Sequence, residues 1–394
     1  MRNSNNNVTV LLKGAITLTR LQYPQTQRVP SHVMGFSCSR CTRCCTSKWR
    51  IEIDDTSYEK LYDQYSLLGR QQKLYKNISV ETNGQFVRFA SNGNCVFLDD
   101  NNLCSIQVQL GQEFLPDVCK LYPRRVFASK RGWEFALSLS CRTAVDTLLH
   151  HPITITELPY AAEQPEQPEP PFYFARPNTF KWYSPENQSP DDIRHHYYRL
   201  ENSLVQILQR TEYSIGQRLI MVAAAGCSSC PRALPPDKQL GSFRLFCQKY
   251  LSEHGSGRSS QLLRSLLLVV ALDTILSLEE AAVSIRLTVP PLNPAQYLQT
   301  LEKYYFPAQK DVSPLLENYL VNFILSKHFF FQTFEKAYLR MTFLHDAVIF
   351  FAVAYAIITR QVVNKPLLLQ AIYDVESIFY ENWFYAQPPE QPFL

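Results

Sequence analysis

Cys38-Ser39-Arg40-Cys41-Thr42-Arg43-Cys44-Cys45 is the stretch on which the reading of this 394-residue chain turns. It puts four thiols into eight residues. A tetrahedral thiolate site needs its sulfurs close together, and two intervening residues let one short loop supply a pair of them. Four more cysteines follow at Cys95, Cys104, Cys119 and Cys141. Cys95 and Cys104 flank Val96-Phe97-Leu98-Asp99-Asp100-Asn101-Asn102-Leu103, a turn expected to fold the two thiols towards each other. Buried free cysteines also pack as small hydrophobes, but four in eight residues is a poor fit to that account. The candidate ligands of a metal or iron–sulfur centre are therefore Cys38, Cys41, Cys44, Cys45, Cys95, Cys104, Cys119 and Cys141. Spacing leaves two arrangements open: one [4Fe–4S] cluster with spare thiols, or two Cys₄ zinc sites.

Around this cluster the chain reads as a compact module over residues 36–150, which holds eight of the 11 cysteines. Thr56 with Glu59 carries a capping-box signature, and Tyr58, Leu61, Tyr62, Tyr65 and Leu68 follow at helical spacing. Short β pieces are predicted at Trp49–Ile53, Phe86–Phe89 and Trp133–Leu139. The Asn-rich residues 1–35 are expected to be an irregular extension. Arg124, Arg125, Lys130 and Arg131 form the densest basic patch and read as a solvated loop face.

Residues 151–190 change character: nine prolines lie between Pro152 and Pro190, with acidic residues among them. Proline removes a backbone donor, so a helix or a central strand is excluded there, and a linker or extended surface strap is expected. Residues 191–394 read as a helical domain. Ile193, Tyr197, Leu200, Leu204 and Leu208 share one face, and Asp191 and Asp192 suit the positive end of that helix. Further helices are predicted near 214–225, 240–253, 259–284, 294–305, 313–332, 335–359 and 365–386. The fold class is thus mainly α: an N-terminal cysteine-rich metal-binding module with short β pieces, then a multi-helix C-terminal domain. Cys227-Ser-Ser-Cys230 is read as a helix end and Cys247 as core.

Composition narrows the function. Hydrophobic residues at 46% and aromatics at 13% make a globular chain. A net charge of +4 without a Lys/Arg stripe argues against nucleic acid. The charge-free run Ala347–Thr359 is too short for a bilayer and reads as a core helix, so no membrane partner is expected. An odd cysteine count without an export signal points to a reducing compartment, the cytoplasm, and against a disulfide framework. No GxGxxG opens a βα unit, so an ordinary Rossmann-type methyltransferase is not visible. The CxxxCxxC motif and alternating βα pattern of a radical enzyme are also missing.

Several blocks, in order, carry a resemblance. They are Phe36-Ser37-Cys38 through Cys45 with Trp49, Ile51 and Ile53-Asp54; Asn94-Cys95-Val96-Phe97-Leu98; Leu103-Cys104-Ser105-Ile106; Leu110-Gly111-Gln112-Glu113; Cys119-Lys120-Leu121-Tyr122-Pro123-Arg124; Ser138-Leu139-Ser140-Cys141; and Glu317-Asn318-Tyr319-Leu320-Val321-Asn322. Together they resemble the flagellin lysine-N-methylase family, whose cysteine half is shared with a broader cysteine-cluster family. The resemblance implies a cytoplasmic enzyme that methylates lysine side chains of flagellin, with S-adenosylmethionine as donor and an iron–sulfur cluster, zinc being the alternative. Candidate donor or substrate contacts are Glu317, Asn318 and Asn322, polar residues on an apolar helix, and Tyr122 and Arg124 beside Cys119. The competing reading is a non-enzymatic metal-binding or electron-transfer protein.

Overall fold

The computed structural model describes residues 26–46, 51–82, 84–159, 181–227 and 294–377. In chain order the first half holds β1 (Thr26–Pro30), α1 (Ser31–Met34), α2 (Arg43–Thr46), β2 (Glu52–Ile53), α3 (Asp55–Leu67), α4 (Gln71–Asn77), β3 (Ile78–Glu81) and β4 (Gly84–Val87). Then come α5 (Ser105–Gln109), α6 (Asp117–Leu121), β5 (Arg124–Ser129), β6 (Gly132–Leu137), α7 (Arg142–Asp146), β7 (Ile155–Pro159) and β8 (Lys181–Trp182). The second half is helical: α8 (Tyr197–Leu208), α9 (Ile215–Cys227), α10 (Pro294–Tyr304), α11 (Gln309–Leu325), α12 (His328–Phe331), α13 (Phe334–Thr359) and α14 (Lys365–Val375). The mainly α class with a cysteine-rich N-terminal part and short strands is what the sequence predicted. The helices expected near 240–253 and 259–284, and the side chains of Cys227, Cys230 and Cys247, lie outside the described residues.

Two sheets organise the first half. A three-stranded antiparallel sheet runs β2-β4-β3, and a five-stranded sheet runs β7-β1-β6-β5-β8. Residues 26–35 are thus not irregular: β1 lies inside the larger sheet, parallel to β6 and antiparallel to β7. Its close approach explains Gly132 at the tip of the β5–β6 hairpin. At φ +128° a Cβ there would meet the Thr26 carbonyl oxygen at 2.8 Å. Among the described residues, the proline-rich stretch enters the sheet at its two edges, through β7 and β8, where a missing donor costs least.

Local rules explain the helix limits. α3 is capped by Asp54, whose side chain accepts the Ser57 amide, and not by the predicted Thr56. Asp192 caps the 3₁₀ turn Ile193–His196 that leads into α8. The helix predicted over 313–332 breaks at Ser326-Lys327, because Lys327 takes φ 61° between α11 and α12. α13 extends the apolar run beyond Ala347–Thr359: its Arg340–Thr359 window is long and apolar enough to cross a membrane by composition, yet 61% of that window is buried inside the protein.

Two apolar cores result. The larger joins β1, β5 and β6 to α8, α9 and α11–α14. The smaller gathers Ile51, Ile53, Leu61, Tyr65, Leu74, Ile78, Val87, Cys95, Phe97, Ile106 and Leu115. The larger one also contains ions. Lys327 Nζ donates to Glu134 Oε2 at 2.8 Å and to Glu201 Oε2 at 2.5 Å, and Arg131 bridges the same two carboxylates. Tyr183 donates its hydroxyl to Glu134. Burial alone would raise the Glu134 carboxyl, but Lys327 and Arg131 outweigh it and hold the group well below the usual range. The basic patch is therefore not a loop face: Arg124 and Arg125 are half-buried on β5, Arg131 belongs to this network, and only Lys130 is exposed.

Candidate metal centre

Cys38, Cys95, Cys104 and Cys141 are presented by short turns with backbone amides directed at sulfur. Cys104 and Cys141 sit at the N-cap positions of α5 and α7. The amides of Ile106 and Gln107 hydrogen-bond the Cys104 sulfur, those of Thr143 and Ala144 the Cys141 sulfur, and those of Phe97 and Leu98 the Cys95 sulfur. In the first loop the Arg40 amide reaches Cys38 Sγ at 3.4 Å. That loop doubles back tightly, with Arg40 at φ 55° and Thr42 at φ 59°, a left-handed conformation uncommon for residues with a Cβ. The amide donors lie mostly two and three residues after their cysteine, so sequence separation alone could have marked them.

Burial and charge set the chemistry. Cys38 and Cys41 are exposed, Cys95 is buried, and Cys44, Cys45, Cys104, Cys119 and Cys141 are half-buried. Burial pushes the Cys95 and Cys141 thiols each up to about 11 against the pull of their amides. Burial likewise raises Cys104 and, reinforced by the charges of Cys95, Cys104 and Cys44, lifts Cys119 well above its ordinary value. Cys45 is raised first by its hydrogen bond with Cys44, whose sulfur lies 3.9 Å away, and then by burial. Desolvated thiols with amides aimed at sulfur suit a soft cation, which would supply the positive charge that the thiolates need. The donor set fits a thiophilic metal or cluster in kind. Among the described residues, however, no three His, Cys, Asp or Glu side chains converge as metal ligands. Cys95 and Cys104 do lie on one folded turn: the Phe89–Cys95 and Leu98–Cys104 bridges close it, and the Cys95 amide donates to Cys45 O at 2.7 Å.

The polar residues singled out in the second half are placed elsewhere, on the inner side of α11. Glu317 pairs with His151 Nε2 at 2.7 Å and with Arg218 Nη1 at 2.7 Å. Asn318 donates to Leu148 O and His150 O and accepts the Ile153 amide. Asn322 accepts the Leu137 amide at 3.0 Å and donates to Leu137 O at 2.9 Å, completing the end of β6 as a strand neighbour would. All three therefore clamp α11 to residues 137–153. The cavity beside Asn322, lined also by Leu137, Tyr319, Phe323, Ser326, His328 and Glu376, has room for about one water. A nucleoside does not fit there. Tyr122 and Arg124 stand nearer the thiols. Tyr122 Oη hydrogen-bonds Ser140 Oγ at 3.0 Å, one residue before Cys141. Arg124 donates to Phe36 O at 3.2 Å and lies over the Phe36 ring, within electrostatic reach of Cys38 and Cys141.

His32 was not singled out in the sequence. It is fully buried, its Nε2 lies 2.9 Å from Asn322 Oδ1, and burial lowers its pKa to about 4. Its partner is 290 positions away, so nothing local announces it.

Comparison with known proteins concerns chiefly the cysteine module. Residues 37–141 match the family CxxCxxCC, described as "Putative zinc- or iron-chelating domain". The flagellar biosynthetic protein FliU of Salmonella muenchen is 30% identical over 129 residues, which is 31% of this chain and 76% of that protein. The lysine-N-methylase of Salmonella typhimurium is 30% identical over 129 residues, so the match spans 32% of that enzyme's length. An uncharacterized protein of Methanocaldococcus jannaschii is 31% identical over 101 residues, 25% of this chain and 32% of that one. No solved structure matches the chain. A chain that is 30% identical to FliU across three quarters of that protein belongs to the flagellin lysine-N-methylase family, and its residues 37–141 match a putative zinc- or iron-chelating domain.

Proposed function

We propose that this protein is a protein-lysine N-methyltransferase that transfers methyl groups from S-adenosylmethionine to flagellin, and that its cysteine module holds an iron–sulfur centre. The observation that carries the proposal is the 30% identity to lysine-N-methylases across the cysteine-bearing part. The reading places the reaction in the cytoplasm, where thiols stay reduced.

Methyl transfer to lysine forms a C–N bond as the methyl–sulfur bond breaks. The attacking amine must be neutral, and one proton leaves to solvent. A desolvating pocket favours the neutral amine. No electron is transferred, so the metal module serves position and structure in this reading. Arg124, close to Cys38 and Cys141, is the residue we assign to an anionic group of donor or substrate, with Tyr122 holding the adjacent Ser140 turn. Glu317, Asn318 and Asn322 act as positioning residues through the 137–153 segment they grip.

A second reading is favoured by the extent of the likeness, which covers about a third of this chain: a metal-binding or electron-transfer protein without methylase activity. The experiment that separates the two is intact-mass spectrometry of the partner flagellin after anaerobic incubation with the metal-loaded protein and S-adenosylmethionine. Mass gains in whole methyl steps, lost in Arg124→Gln with metal content unchanged, support the methylase. An unchanged flagellin mass with the metal shown to be loaded overturns it in favour of the second reading.

A further inference from the structure

The outer face of the α3–α4 pair carries side chains that no core explains. α3 buries Ser57, Leu61 and Tyr65, and α4 buries Leu74. Three further tyrosines of the pair do not join that core. Tyr62 is 38% exposed and Tyr75 53%, and Tyr58 is half-buried beside them. Their rings form one row: the Tyr58 and Tyr62 centroids are 6.4 Å apart and stacked, and those of Tyr62 and Tyr75 are 6.3 Å apart at 50°. A hydrogen bond with Tyr62 raises the Tyr75 phenol, so that ring stays neutral. Five of the 11 large apolar or aromatic side chains exposed among the described residues fall between residues 62 and 80. Single exposed apolar residues are ordinary, but a contiguous group marks an interaction surface.

Charge decides the kind of partner. Asp55, Glu59 and Asp63 recur every fourth residue on α3, and all three are exposed. At about 100° per residue this row runs alongside Tyr58 and Tyr62, and Lys60 falls beyond it. Among the described residues no ion pair joins the row to Lys60, Lys73 or Lys76. An aromatic row beside an acidic row is complementary to ammonium groups. Ring faces attract a cation within about 6 Å of their centroids, and carboxylates steer it there. With the Tyr62 and Tyr75 centroids 6.3 Å apart, one cation can stand within that range of both. The same helix turns Tyr65 inward, within electrostatic reach of Cys104, so the face belongs to the cysteine module.

We propose that this face docks a lysine-bearing segment of a protein partner, with lysine ammonium groups over Tyr62 and Tyr75 and along Asp55, Glu59 and Asp63. The proposal deepens the methylase reading and rests on it for the partner's identity: flagellin is held here while one of its lysines is methylated.

The test is binding of labelled flagellin to the full-length protein without S-adenosylmethionine, followed by fluorescence anisotropy at low and high salt. Tyr62→Ala/Tyr75→Ala should weaken binding about tenfold. Glu59→Gln/Asp63→Asn should weaken it about fivefold and remove most of its salt dependence. Tyr62→Phe/Tyr75→Phe keeps the ring faces and should stay within about twofold of the unaltered chain. In steady-state methylation the alanine variant should raise KM and leave kcat unchanged. Flagellin that does not bind the unaltered chain, or binds the alanine and charge variants equally well, overturns the proposal. So does a phenylalanine variant as weak as the alanine one, which would assign the contact to the hydroxyls. A dimer of the unaltered chain that Tyr62→Ala/Tyr75→Ala dissociates gives the face to a second copy and overturns it too. The two readings fail separately. Docking lost in the variants with no methylation by any form defeats the methylase and leaves the docking face. Methylation with docking unchanged in the variants does the reverse.

Discussion

The two cores are held together by different means. The larger one packs helices on both a hairpin and one another, and it places a dense charge cluster, Arg131, Glu134, Glu201 and Lys327, among aromatic rings with both carboxylates paired. The smaller one has 11 buried residues among those described, one of them a cysteine, with further thiols at its margin. A core of that size buries too little apolar surface to be secure alone, and small modules of this kind commonly rely on a metal or a disulfide. The difference teaches that charge inside the large core is a matter of internal pairing, while the small core gathers thiols at its margin, donors suited to a soft cation.

The largest expected effect tests the large core. Lys327→Met leaves two buried carboxylates with Arg131 as their sole cation and should cost about 3–5 kcal/mol in chemical unfolding. It should also leave the metal content of the small core unchanged. The acid response is next. His32 has a folded pKa of about 4, below its ordinary 6.5. As pH falls, the unfolded chain takes up this proton first, so the contribution is intact above about 6.5 and is lost progressively down to about 4, ~3 kcal/mol in all. Burial also depresses His328, which adds to the slope in the same direction. Unfolding curves at pH 7 and pH 5 should therefore differ, and His32→Gln should flatten the difference. Asn322→Ala removes the partner of both Leu137 backbone groups and should destabilise the large core by about 2 kcal/mol. The smallest effect falls on the small core. Asp54→Ala loses the α3 cap and the tie to the Cys119 helix, at about 1 kcal/mol of stability in the metal-loaded protein.

Much of this was legible in the sequence, and the part that was not has a common cause. The thiol loop and the helices of the second half follow from local spacing and periodicity, which short-range geometry controls. The Asp54 cap was misassigned by two residues because Asp54, Thr56 and Ser57 all carry capping side chains. The five-stranded sheet was missed in part: β6 corresponds to the piece predicted at Trp133–Leu139, but β1 pairs with it at a separation of more than 100 residues, so nothing local announces that strand. The candidate residues of α11 were correctly seen as unusual, since Glu317, Asn318 and Asn322 are buried polar groups on an apolar helix. Their partners at 137–153 and 218 are distant in sequence, so their clamping role could not be read locally.

The most direct test of the account is hydrogen exchange on the metal-loaded full chain, read by mass spectrometry before and after chelation. Amides of residues 51–121 should lose protection by at least a factor of about ten, the equivalent of ~1.4 kcal/mol, while those of α11 and α14 stay protected. Equal protection of both cores after complete metal removal would contradict the claim that sulfur-bound metal holds the smaller one.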